Sequence, residues 1–396
     1  MSKRILLTGG RAPAALELGR LFAKQGHIVY LAESVRFPVT RFSNSITRYF
    51  RVPEARFKPR EYGRALAETI AREHIDVFIP TCEEIFYVAK ASKNLPSQCV
   101  VWADTFDKLD MLHNKWTFIE YTKKIGLKTP STYRASSRND LHAYLTNSSS
   151  AKLIVKPAYS RFATQTLIWS RGSKLPDTIL PTEVQPWIAQ QFIDGRHLCT
   201  YSLAYKGKLL AHSIYESQQQ WGIGSSTVFE YLDHPIAQKW VERFISETNF
   251  TGQIGFDFIE TLDDTLYPIE CNPRSTSGIH FFNKTPELAA QFLGAQNRNT
   301  VTPRGGDVRS VKFALVVRLI RLVIGRQPVL EWKKTWHFLR QSSDVLYESG
   351  DFLPVLGQII SLVEFLRQSV WLGVSPTEVA TRDCGYNGID ESNETV

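Results

Sequence analysis

A chain of 396 residues that is 43% hydrophobic and 22% charged has the composition of a folded protein with a real core, which excludes a disordered or collagen-like class. Its net charge of +8 is diffuse: it favours anionic ligands but marks no nucleic-acid binder, and no RRM, helix-turn-helix or zinc-finger pattern is present. Five scattered cysteines, Cys82, Cys99, Cys199, Cys271 and Cys384, form no CxxC pair and fit reduced thiols in the cytoplasm better than a disulfide or zinc framework.

At ~150 residues per domain the length suggests two or three domains. MSKRILLTGG runs straight into a short apolar strand and lacks the long apolar core of a secretory signal. RILLTG reads as a strand, residues 12–25 as a helix, HIVYLAES as a strand and EYGRALAETIAREHI as a helix. DVFIPT and CVVWAD are a third and a fourth strand. This alternation implies a parallel sheet covered on both faces, ending near residue 110.

A helix over 108–125 follows, with Gly126 just past its end and Pro130 beyond. AKLIVKPAY, TQTLIWS and WIAQQFI read as strands. HLCTYSLAY and KLLAHSIYE form a hairpin across KGK. HPIAQKWVERFISETN is a helix, and GQIGFDFIE and TLYPIECN are two more strands. Residues 111–295 are therefore α+β with antiparallel sheet. From about 308 the chain turns strongly apolar. VKFALVVRLIRLVI is interrupted by Arg318 and Arg321, and FLPVLGQIISLVEFLRQSVWLGV by Glu364 and Arg367. Neither supplies the ~20 clean apolar residues of a membrane span, so a helical cap packed on the core is expected rather than a helix lying on a membrane. The last dozen residues read as acidic, polar and disordered.

The chemistry concentrates in one hairpin. A turn centred between Asp263 and Asp264 sets Asp257 opposite Glu270 on one face, with Cβ atoms ~4.5–5.5 Å apart. Asn272 lies one step along that face. Like charges placed so oppose sheet formation unless a cation lies between them. Two carboxylates and an amide oxygen are hard ligands suited to Mg²⁺, which completes its shell with water and substrate phosphates. Arg274, just past the strand, can fork onto a phosphate. The bland alternative is a solvated polar sheet face.

On these residues, FDFIE and YPIECNPR above all, residues 1–295 resemble the ATP-grasp superfamily of carboxylate–amine ligases and carbamoyl phosphate synthetases. The resemblance implies a Rossmann-like domain at 1–110, ATP-grasp subdomains at 111–188 and 189–295, and a helical extension at 296–396. It implies ATP and two Mg²⁺ ions (or Mn²⁺) held by Asp257, Glu270 and Asn272. LHNKWTFIEYTKKIGLKTP is similar to the helix whose lysine reaches the phosphates, here Lys115, and LIVKPAYS to the strand with the second, Lys156. IAQQFIDGRH resembles the adenine hinge, with Gln190, Gln191 and Ile193 at the base. His197 stands where relatives carry a ribose-binding carboxylate, and Gln190 where they often carry Glu. In the phosphate loop AYSRFATQT, Ser160, Thr164 and Arg161 replace the usual glycines.

The chemistry implied is attack of a substrate carboxylate on the γ-phosphate, then displacement of phosphate by an amine, with Lys115 and Lys156 neutralising the α/β end and Arg274 stabilising the transferred group. For the small-molecule acid and amine, Arg11 is a candidate for a carboxylate, Glu83 or Glu84 for an ammonium group, and Ser275 and Ser277 for the acyl acceptor. His280 reads equally as core or as a base. No nucleic-acid partner is expected, and a homodimer is left open. The competing readings are a nucleotide-binding protein without ligase activity, a carboxylase or carbamoyl-transfer enzyme acting through carboxyphosphate, and a nicotinamide oxidoreductase built on LLTGG. The last leaves Asp257, Glu270 and Asn272 unexplained.

Overall fold

The computed structural model describes residues 2–161, 165–221, 225–294, 299–305, 307–325 and 329–389. Its N-terminal part is a parallel sheet of β1 (Arg4–Leu7), β2 (Ile28–Glu33), β3 (Arg48–Arg51), β4 (Val77–Ile79) and β5 (Val100–Val101), in the order β3-β2-β1-β4-β5. Alternate residues serve opposite faces, as strand geometry requires. Ile5, Leu7, Leu31 and Ile79 pack under α1 (Pro13–Lys24). Leu6, Tyr30, Ala32 and Phe78 pack under α2 (Pro59–Arg72) and α3 (Ile85–Ala91). The edge strand β3 was not anticipated: RYFR is short, half charged and has no apolar alternation to announce it.

The expected helix over 108–125 is two helices, α4 (Phe106–His113) and α5 (Lys115–Lys124). Asn114 breaks the run because its side chain accepts from the backbone N–H groups of Trp116 and Thr117, the arrangement of a helix N-cap. A four-stranded antiparallel sheet follows: β6 (Thr132–Ala135), then α6 (Arg138–Asn147), β7 (Lys152–Pro157), β8 (Leu167–Ser170) and β9 (Trp187–Gln191), in the order β6-β9-β7-β8.

The central sheet has seven strands. It comprises β10 (Arg196–Tyr205), β11 (Lys208–Trp221), β12 (Ser225–Leu232), β13 (Gly252–Glu260), β14 (Leu266–Asn272), β15 (Val308–Ser310) and β16 (Ser343–Asp344), in the order β14-β13-β10-β11-β12-β15-β16. On one face Phe256 and Phe258 of β13 pack edge-to-face on Trp240 of α7 (Pro235–Thr248), at 5.2 and 4.8 Å between ring centroids. Phe118 of α5 joins this aromatic layer. The opposite face carries Asp257, Cys199 and Tyr201 toward the N-terminal sheet, beside the short helix α8 (Glu287–Phe292).

The C-terminal part is mainly helical: α9 (Lys312–Ile324), α10 (Val329–Gln341), α11 (Leu353–Leu372) and α12 (Pro376–Val379). It is not only a cap, since β15 and β16 extend the central sheet. Helix α11 seats Gly357 against Phe42, and Ser361 Oγ donates to the Phe37 carbonyl. Its other side is open, with Val370 86% and Trp371 82% exposed. By length and composition α11 is apolar enough to cross a membrane, where the sequence predicts too few clean apolar residues. The two charges that interrupt it, Glu364 and Arg367, form an ion pair at 2.9 Å. The acidic residues after 389 lie outside the described residues.

Candidate active site

The hairpin β13–β14 does place Asp257 directly opposite Glu270, and Gly255 opposite Asn272. The route differs from the one expected. Toward the turn the register slips by one, so that Phe258 faces Pro268, and Ile269 is the extra residue of a β-bulge. The turn is thus centred one half-step earlier than the sequence suggested, and the bulge restores the pairing of the two acids. Pro268 lacks a backbone N–H, which suits it to a break in the ladder.

That break has a use. The Ile269 carbonyl accepts a hydrogen bond from Lys156 Nζ at 3.1 Å. From the other side, Lys115 Nζ lies 3.5 Å from Glu270 Oε2 and donates to the Ser160 carbonyl at 3.0 Å. Lys115 is the first residue of α5; its own N–H donates to Ala158 just past β7, which locks helix to strand. Both lysines are buried. Burial, reinforced by neighbouring Lys115, lowers the Lys156 pKa to about 8. Burial by itself would raise Glu270, but Lys115 and Lys156 outweigh it and hold this carboxyl below its ordinary value. Asp257 goes the other way: burial raises it, and the Glu270 charge adds to the rise against His197.

Residues 112–278 match the profile of the ATP-grasp domain. They form an ATP-grasp domain. The wider chain is 25% identical over 225 residues to the mitochondrial arginine-specific carbamoyl phosphate synthase large chain of Schizosaccharomyces pombe, covering 51% of this chain and 19% of that one. It is 24% identical over 196 residues to the corresponding large chain of Cutaneotrichosporon cutaneum, covering 45% and 17%. It therefore spans under a fifth of the length of these relatives. Among solved structures, the Staphylococcus aureus N5-carboxyaminoimidazole synthetase complexed with ADP superposes with a TM-score of 0.62 at 14% identity, over 83% of this chain and 87% of that one. The L-amino acid ligase of Bacillus licheniformis gives 0.55 at 18% identity, over 72% and 70%.

The ATP-grasp domain brings Lys115, Lys156, Asp257 and Glu270 into one cluster. Asn272 is adjacent, with its Oδ1 accepting from Arg274 Nη2 at 2.9 Å. Arg274 also reaches Glu83, Nε to Oε1 at 3.7 Å, and Glu83 pairs with Arg161 as well. Burial would raise Glu83, yet Arg161, His113 and Arg274 together lower it. Ser160 contributes its carbonyl, not its hydroxyl, to this cluster. Arg161, expected on phosphate, points at Glu83. Thr164 lies outside the described residues.

Several expected contacts are otherwise engaged. At the hinge, the Gln191 N–H donates to the Ser131 carbonyl at 2.8 Å, so it does not face a base. Gln190 is buried and donates to Thr132 Oγ1 at 3.1 Å. Ile193 is half-buried just past the end of β9, and the crossing closes at Gly195, where a Cβ would collide with the Glu260 carbonyl. His197 sits beside Cys199 and Asp257. Arg11 does not await a substrate carboxylate: its three nitrogens bond Glu33, Ser34, Asp383 and the Ala380 carbonyl. Glu84 accepts from Thr8, Thr81 and Cys82, and burial raises its pKa, so it caps the strand ends of the N-terminal sheet. Ser277 is half-buried at the start of the 3-10 turn Ser277–Phe282. Ser275 is buried with no partner for its hydroxyl among the described residues. His280 is a core residue, 3.0 Å from Glu17.

Sequence reasoning missed the C-terminal segment at this edge. The Tyr386 N–H donates to Glu83 Oε2 at 3.1 Å, and the Tyr386 ring stacks on Phe86 at 4.6 Å. His113 Nε2 lies 3.2 Å from the Tyr386 carbonyl, and Tyr87 donates to that of Gly385. No spacing signal links residues some 300 positions apart. A faint one existed: RDCGY interrupts a polar tail with a charge pair, a thiol and an aromatic ring.

Proposed function

We propose that the chain is an ATP-dependent ligase that activates a carboxylate as an acyl phosphate and couples it to an amine, releasing ADP and phosphate. The observation that carries this reading is the convergence of Lys115 and Lys156, from separate elements, on Glu270 beside Asp257. Two buried ammonium groups next to an acidic pair suit a polyphosphate with its divalent cations better than any neutral ligand.

The residues present fit Mg²⁺. Asp257 and Glu270 are hard oxygen donors directly opposite each other, and Asn272 offers an amide oxygen beside them. Mg²⁺ held by these residues would supply positive charge to offset that of the phosphates. The chain's own contribution is positional. Lys115 and Lys156 neutralise phosphate, and Lys156 does so as a cation whose pKa of about 8 the nucleotide itself raises on binding. Arg274 stands where it can leave Asn272 for a transferred phosphoryl group. Glu83, held ionised between Arg161 and Arg274, keeps both guanidinium groups at the edge of the N-terminal sheet, where open α/β sheets bind ligands. Ser275, with its unpartnered hydroxyl, is the candidate contact for the acyl acceptor.

A second reading takes bicarbonate as the carboxylate and passes through carboxyphosphate. It is supported by the curated matches, both of them carbamoyl phosphate synthase large chains. The deciding experiment incubates the full chain with ATP, Mg²⁺ and a panel of carboxylic acids, bicarbonate and amines, reading ADP and product mass. ADP formation that requires both an acid and an amine supports ligation. ADP formation with bicarbonate alone supports the second reading. Tight ATP binding without turnover under every pair would overturn both.

A further inference from the structure

Four adjacent strands of the central sheet present one row of side chains on one face. Tyr215 of β11 pairs with Cys199 of β10, Cys199 with Asp257 of β13, and Asp257 with Glu270 of β14. Partners directly opposite in a ladder share a face, and His197, two residues before Cys199, shares it too. One ligand atom from each of His197, Cys199 and Asp257 lies within 4.8 Å of the other two.

The distances within this trio carry information. Cys199 Sγ and His197 Nε2 are 3.7 Å apart. A tetrahedral zinc ion with bonds of about 2.3 Å to sulfur and about 2.0–2.1 Å to nitrogen separates the two by about 3.6 Å. The set is one thiol, one imidazole and one carboxylate. Sulfur and imidazole suit zinc, cobalt or copper and not magnesium, which prefers oxygen. Three protein ligands leave a fourth position open, the pattern of a reactive rather than a purely structural site. Cys199 is buried, while His197 and Asp257 are only partly so, which leaves part of the trio accessible to solvent.

We propose that His197, Cys199 and Asp257 form a binding site for a transition-metal dication of the zinc class, distinct from the oxygen-donor set of Asp257, Glu270 and Asn272 and sharing only Asp257 with it. Binding replaces the thiol proton of Cys199, which leaves to solvent, by a metal–sulfur bond. Asp257 serves one ion at a time, so the zinc-class ion competes with magnesium. The metal site stands on geometry alone; only the competition rests on the ligase reading above.

The test uses the full chain stripped of metal, without nucleotide, titrated with Co²⁺. The expected result is one equivalent bound, with the intense visible bands of a tetrahedral site and a near-ultraviolet sulfur-to-cobalt charge-transfer band, both lost on adding Zn²⁺. Cys199→Ser removes the charge-transfer band. Cys99→Ser, at a remote buried thiol, keeps it. His197→Gln, at a partly exposed position, weakens Co²⁺ binding at least tenfold with an unchanged circular-dichroism spectrum, which guards against a misfolded Cys199 variant. Absence of the band in the wild type, or its persistence in Cys199→Ser, overturns the proposal. Neither result bears on ATP turnover with Mg²⁺, so failure here and failure of the ligase reading are separable. In an active preparation, micromolar Zn²⁺ raises the Mg²⁺ concentration needed for half-maximal ADP release; an unaltered Mg²⁺ requirement with Zn²⁺ bound overturns the shared use of Asp257.

Discussion

Asp257 stands opposite Glu270, and the ladder between their strands slips by one residue immediately beyond them. The slip exposes the Ile269 carbonyl to Lys156, so one local irregularity both aligns the acids and anchors the lysine proposed to meet phosphate. Glu270 is accordingly the hub of the site. Glu270→Gln leaves Lys115 and Lys156 buried without their main counter-charge, and removing one partner of a buried pair costs about 3–5 kcal/mol. A lower melting temperature is expected together with a loss of ADP release of at least a hundredfold. ADP release within threefold of wild type would contradict the assignment.

Lys156 gives the site a pH signature. Its charge is present below about pH 8 and lost above it in the nucleotide-free protein. Nucleotide phosphates favour the charged form and raise the pKa in the complex. ATP affinity should therefore be flat below pH 7 and fall as pH rises through about 8. Calorimetric titration at several pH values, in buffers of different ionisation enthalpy, should detect proton uptake on binding near pH 8. Lys156→Arg, which keeps its charge throughout, should lose the pH dependence.

Arg11 is balanced by two carboxylates, the buried Glu33 and the partly buried Asp383. Arg11→Met strands both, and is expected to be strongly destabilising. Adding Asp383→Asn to it removes one of the stranded charges and should recover part of the lost unfolding midpoint. Strict additivity of the two substitutions in a denaturant titration would show that the residues do not interact, since contacting pairs couple by about 0.5–3 kcal/mol.

Gly195 lies where the hinge crosses Glu260, and any Cβ there meets that residue's carbonyl. Gly195→Ala should displace the segment that follows β9, raising the KM for ATP several-fold while leaving the aromatic layer around Trp240 intact by fluorescence. An unchanged KM would mean that this segment does not line the nucleotide site.

Much of this was legible in the chain. The alternation in GQIGFDFIE and YPIECN announced a two-faced hairpin, because period-two patterning survives wherever one face meets a core and the other a solvent-filled cleft. Lys156 was legible because a lysine in the middle of an apolar strand needs an anion. The bulge at Ile269 was not, since its cause is the pairing of strands and not the strand itself. Nor were the roles of Arg11 and Glu83. Each looked like a ligand contact at a strand end, and each is held by residues of the C-terminal segment, whose proximity depends on the whole fold. Cys199 has no second cysteine to announce it, although His197 lies two residues before it on the same strand and Asp257 opposite it on the next.

The clasp between Asp383 and Arg11 joins positions 372 residues apart in the chain. During synthesis the first sheet emerges from the ribosome long before residue 383 exists. Until then Arg11 must remain hydrated or rely on Glu33 alone, so this sheet reaches its final form only after residue 383 has been made. A truncation ahead of that residue would thus be felt at the turn that follows β1.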